Sequence, residues 1–131
     1  MPIVESDIQY RLSGGAGNAD PNLSLGGVMS STSIVNATLH NLFDVVSSAE
    51  ASAGDTEYRG FYILNNHATI PLDLPTHWVE AVASGGTVAY GVAVEGVNVT
   101  MATIANESTA PAGVTFSTPL TKATGASLGT T

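Results

Sequence analysis

Residues 13–27, SGGAGNADPNLSLGG, mix glycine with hydroxyl, amide and carboxylate side chains. Phosphate cradles and hard-cation loops are built from such residues. Each template can be tested. A Walker-type cradle needs a lysine followed by Ser or Thr after its glycines, and the stretch has no lysine. A dinucleotide turn needs three glycines and a following helix to receive a pyrophosphate. Gly15 and Gly17 supply two, Asp20 stands in the third place, and Pro21 follows. Calcium fits best, because Asn18, Asp20, Asn22 and Ser24 alternate oxygen-bearing side chains. Even so, Leu23 stands where that loop needs glycine, and Met29 stands where it needs the bidentate Glu. The expectation is therefore conformational. Gly14, Gly15, Gly26 and Gly27 permit positive φ, while the Asn and Asp side chains cap turns.

The remaining reactive residues form no recognisable constellation. His40, His67 and His77 do not pair at ligand spacing, no G-x-S-x-G elbow is present, and the carboxylates are scattered. No catalytic residue, metal site or cofactor is expected, and the chain does not read as an enzyme. His67 in a turn and His77 beside Trp78 suit capping or solvent-facing roles. Tyr58, Phe61, Tyr62 and Trp78 suit a core better than a carbohydrate platform. The sequons at Asn36, Asn98 and Asn106 reflect a composition rich in Asn and Thr.

Composition bounds the partners. The 131 residues carry 44% hydrophobic and only 11% charged side chains, enough to build one domain with a core. The formal charge is −8, with Arg11, Arg59 and Lys122 the only Lys and Arg residues. Such a surface repels nucleic-acid phosphates and anionic membranes, so neither is an expected partner. Cysteine is absent, which excludes disulfides and thiolate metal sites. The N-terminus does not read as a signal peptide, and no apolar run nears the roughly 20 residues of a membrane span. The expectation is a soluble chain made in a cytoplasm.

The elements that position these residues read as β. Ile8–Leu12 is a short strand after a free N-terminus, and the glycine-rich loop runs from it to about Thr32. Around Leu42–Ala51 one or two helical turns are expected, ended by Gly54-Asp55. TEYRGFYILN is aromatic and β-branched and stops at Asn65-Asn66-His67. Two prolines make TIPLDL an edge or irregular strand, and HWVEAVA is a further strand. TVAYGVAVEGVNVTMATI predicts a hairpin turning at Glu95-Gly96, with Val94 opposite Val97, Val92 opposite Val99 and Tyr90 opposite Met101. Its other face, Ala89, Gly91 and Ala93, is smooth. A short strand around Val114–Phe116 follows, and the tail is too weak to close a sheet. Together these predict a mainly β chain forming a single antiparallel β-sandwich, immunoglobulin-like or jelly-roll-like. Residues 1–33 would be an extended N-terminal arm with a long glycine-rich loop, and residues 34–131 the sandwich, one domain overall.

Three blocks resemble a known family: IQYRLSGGAGNADPNLSLGGVMSS, NLFDVVSSAEASAGDTEYRGFYILNNHAT and TIANESTAPAGVTFSTPLTKATG. They are similar to small structural proteins of tailed bacteriophages, and the resemblance covers nearly the whole chain. It implies a β-sandwich virion component, most specifically a decoration (cement) protein on the outside of the head. The implied partners are the major capsid protein and, as a homotrimer, the chain itself. In that family a strand rich in Trp, Ile and Arg follows the block matching TKATG. Here the sequence stops at Thr131: either the tail lies outside this sequence, or this member is shorter and the closing strand is missing or comes from a neighbour. An acidic domain suits the outer capsid face rather than the DNA-lined inner wall. The expected contact residues are Ile8, Tyr10 and Arg11 of the arm, Gly14, Gly15, Asn18, Asp20, Asn22 and Leu25 of the loop, and Ala89, Gly91 and Ala93 of the hairpin face. On this reading, deleting Gly14–Gly27 removes particle binding and leaves the domain folded. A neck, tail or fibre-attachment part is the alternative, and a carbohydrate- or host-surface-binding module a third reading.

Overall fold

A computed structural model of the chain describes residues 1–82, 84–118 and 120–129. Its regular structure is mainly β. Strands β1 (Ile8–Leu12) and β2 (Phe61–Asn65) flank one short helix, α1 (Ser48–Ala53). The two-residue strands β3 (Thr76–His77), β4 (Tyr90–Gly91), β5 (Phe116–Ser117) and β6 (Ala126–Ser127) follow. They form three separate two-stranded antiparallel sheets, β1·β2, β3·β6 and β4·β5.

β1 and β2 form where the sequence alternates or is β-branched and aromatic. Ile8 pairs with Asn65, Tyr10 with Ile63 and Leu12 with Phe61. α1 starts on a capping box: Ser47 Oγ accepts from Glu50 N–H, and the Glu50 carboxylate accepts from Ser47 N–H. Gly54, at φ 76°, closes it.

The predicted hairpin does not form. The chain turns at Val94-Glu95 and again at Val97-Asn98. Gly96 (φ 94°) and Asn98 (φ 59°) both take positive φ, and two such residues so close together break a pleated ladder. Tyr90 pairs with Ser117 and Gly91 with Phe116, while Met101 bridges to Gly27. Gly91 makes this possible: a Cβ there would lie 2.1 Å from Val114 Cγ1. The tail is also stronger than its composition suggests, because β6 pairs with β3 and encloses the β4·β5 pair. Among the described residues of HWVEAVA, His77 alone belongs to a strand, and Ala83 lies outside the described residues.

An aromatic cluster joins the three sheets. His77 of β3 lies 4.5 Å from the Tyr90 ring of β4, 5.6 Å from Tyr10 of β1 and 6.0 Å from Phe61 of β2, centroid to centroid. On the other face of β1·β2, Tyr62 Oη donates to the Gly27 carbonyl and accepts from Met101 N–H. The fully buried apolar core is small: among the described residues only Leu12 and Ile104 are buried hydrophobics.

Candidate functional site

Polar groups take over much of the work of a core. Ser13, Ser24 and Ser30 are essentially inaccessible. The Ser13 and Ser24 hydroxyls both donate to the Gly60 carbonyl, at 2.6 Å each. In return Ser13 Oγ accepts from Gly26 N–H, and Ser24 Oγ accepts from Ser13 N–H. Ser30 Oγ donates to Asn18 O and accepts from Thr32 N–H. The Ser13 and Ser24 hydroxyls tie the glycine-rich loop to the residue before β2. Every buried side-chain polar atom among the described residues has a partner.

Arg59 is the second polar centre. Its side chain is fully buried, with Nε donating to Leu42 O and Nη1 to Tyr58 O. Nη2 reaches Asn22 Oδ1 (3.2 Å), Glu57 Oε2 (3.4 Å) and Glu107 Oε2 (3.1 Å), and the Phe43 ring lies 5.6 Å from Cζ. One guanidinium thus ties the glycine-rich loop, the segment before α1, and the C-terminal half to the start of β2.

The oxygens of the calcium-like pattern do not converge. Asn18 Oδ1 accepts from Asp20 N–H, Asp20 Oδ1 from Asn22 N–H, Asn22 Oδ1 from Arg59, and Ser24 is buried in the serine network. Gly14, Gly15, Gly26 and Gly27 all take positive φ, as the turn reading requires. His67 caps its turn: Nδ1 accepts from Thr69 and Ile70 N–H, and Nε2 donates to Met1 O.

Of the twelve expected contact residues, Ile8 and Tyr10 line an open cleft of about 1290 Å³. Gly15 and Ala89 leave space around them or lie exposed. The others serve the fold. Arg11 donates to Ser31 O, Ser30 O and Gln9 Oε1. A Cβ on Gly14 would strike Leu23 O, and the Leu25 carbonyl accepts from Ile104 N–H. Asn18 Nδ2 holds Ser13 O and Asp20 O. Gly91 is pressed against Val114, and Ala93 is half-buried. The hairpin face to which Ala89, Gly91 and Ala93 were assigned does not exist. The Gly14–Gly27 segment also carries Ser24 and Gly26, so deleting it removes hydrogen bonds to Gly60 and Ser13 as well as the expected contact residues.

One grouping escaped the sequence reading. Carboxylate oxygens of Glu50, Asp55 and Glu57 lie within 4.8 Å of one another. The tight turn after α1 brings them together, a consequence readable from the S-x-x-E box and Gly54. Asp55 is exposed and Glu50 and Glu57 are only half-buried, and exposed acidic groups of this kind are common without an ion. Burial, then the charges of Asp44, Glu107 and Asp55, raises the Glu57 carboxyl above its ordinary pKa, while Arg59 opposes this. The Ser47 hydrogen bonds lower that of Glu50.

Burial among rings lowers the His77 pKa, and raises those of Tyr10 and Tyr90. The folded state resists protonation of His77, whereas the unfolded chain protonates it near the ordinary value of about 6.5. The stability it contributes is present above that value and is lost as pH falls through the folded pKa. We expect the urea midpoint to drop between about pH 7 and pH 5, and His77→Phe to flatten that slope. An equal slope in both proteins would remove His77 as the cause.

Among the described residues no helix is long and apolar enough to cross a membrane. In comparisons with protein-family models, curated proteins and solved structures, none matches this chain.

Proposed function

We propose that the chain is a structural subunit of a protein assembly, and that this assembly is the virion of a tailed phage. The surface carries the assembly reading. The chain exposes 8344 Å², whereas a compact monomer of 13.3 kDa exposes roughly 6,500 Å². The excess, about 1,900 Å² on one chain, is the scale that obligate assemblies bury. Much of it is apolar: Leu39 is 84% exposed, Val46 67% and Val45 63%. Neighbours that cover this surface would also complete the small sheets into the sandwich that the strand pattern asks for.

The sequence resemblance supplies the particle. In this reading the chain is a decoration protein outside the head, bridging major capsid subunits as a homotrimer. The acidic surface supports the outer position, where it meets no packed DNA.

Gel densitometry of purified virions tests this. Decoration requires copies in numbers comparable with the major capsid protein. A neck, tail or fibre-attachment part would appear in the few copies of a ring, and absence from virions would end the reading.

A further inference from the structure

We infer that the cleft beside β1 receives an extended segment of a partner protein in which apolar residues alternate with Lys or Arg. This rests on the assembly reading for the partner being a protein, and adds where and how it binds. The first observation is an unfinished sheet edge. β1 directs the backbone groups of residues 8, 10 and 12 away from β2. On that side Leu12 N–H donates to Thr32 O, and Tyr10 O accepts from Ile34 N–H. The chain then leaves the edge, so the Ile8 carbonyl and the Tyr10 N–H face the cleft without a backbone partner among the described residues. Open edges of this kind accept an added strand.

The second observation is the wall. Val35 (60% exposed) and Leu39 (84%) line the same cleft as Ile8 and Tyr10, too open to water to be finished core. A strand placed on the β1 edge points alternate side chains at this wall and the others away from it. The apolar positions of the segment follow from that geometry.

The third observation fixes the charge. Arg59 is fully buried and Arg11 is committed to Ser30, Ser31 and Gln9, so neither offers a free cation. Glu5 lies in the cleft lining. A second copy of this chain would bring another −8 to the contact, whereas a basic segment meets complementary charge.

Selection from an immobilised library of random decapeptides by the full-length chain tests this. Selected peptides should alternate apolar residues with Lys or Arg, lack proline, and shift the amide signals of Ile8–Tyr10 on binding. Salt should weaken them. The double variant V35K/L39K, at two exposed positions, should lose affinity on the order of tenfold or more. Peptides without basic enrichment, undiminished binding to V35K/L39K, or self-association of the chain that this variant abolishes would each overturn the inference. If selection fails while virions carry the chain in capsid-like numbers, the cleft assignment falls and the function stands. Success with virions lacking the chain gives the reverse.

Discussion

Arg59→Met should cost about 3 kcal/mol. It removes several hydrogen bonds made by a buried guanidinium, while the carboxylates left behind, 17% and 47% exposed, keep part of their hydration. The variant keeps the length of the stem but removes every donor. Glu57 and Glu107 would then face each other without a cation, and the Leu42 carbonyl and Asn22 amide would lose their partner. Since domains are stable by only about 5–15 kcal/mol, much of the folded population is at stake. Arg59→Lys should recover part of the loss, because an ammonium satisfies a carboxylate but cannot span the same fork. The urea midpoint, followed through the fluorescence of the single tryptophan, Trp78, measures both. A midpoint for Arg59→Met within about 0.5 kcal/mol of wild type would show that the network is ornamental.

Gly26→Ala should be comparably damaging, for a steric reason. Gly26 sits at φ 80°, and a Cβ there would lie 2.1 Å from the Ala102 carbonyl oxygen and 3.1 Å from Thr103 Cα. Both neighbours are backbone and cannot rotate away. The left-handed cost of about 1–2 kcal/mol is therefore joined by a displacement of the strand-like contact at Met101–Ile104, for about 3 kcal/mol or more in all. Gly15→Ala is the control. Its φ is 120°, but nothing lies within 4 Å of the added carbon, so it should show the backbone cost alone. Equal losses at the two positions would mean that close approach of residues 102–103 is not what fixes Gly26.

The parts legible in sequence were those with a local signal. β1 ran over the expected residues because Ile-Gln-Tyr-Arg-Leu alternates, and β2 stopped at Asn65 where the Asn-Asn-His turn begins. The end of the helical turns at Gly54 followed from glycine chemistry, as did the positive φ of the loop glycines. Long-range pairing left no such trace. Val88–Ile104 has the alternation of a hairpin, yet two-residue strands offer too little register to choose a partner, and Tyr90-Gly91 pairs with Phe116-Ser117 instead. The buried serines were equally silent. Ser13, Ser24 and Ser30 look like loop residues in sequence, and only the approach of the Gly60 carbonyl makes two of them interior. For the same reason the loop was read as an arm reaching outward, when its side chains mostly serve this chain. Ile8 and Tyr10 line the cleft, and Val35 and Leu39, which line it too, carry no motif to mark them.

The nesting of β4·β5 inside β3·β6 sets an order of events during synthesis. β3 waits for Ala126 and Ser127, which lie beyond β4 and β5 in the chain, and β4 waits for Phe116 and Ser117. Closing such wide loops is slow compared with forming local turns. The strand pairing of β1·β2 and the hydrogen bonds of the serine knot draw on residues up to Asn65 and can form first, with the contacts to Met101 and Ile104 added later. For an interval the nascent chain therefore presents a finished β1 edge while its C-terminal half is still open. A partner could engage that edge before the rest of the subunit has closed.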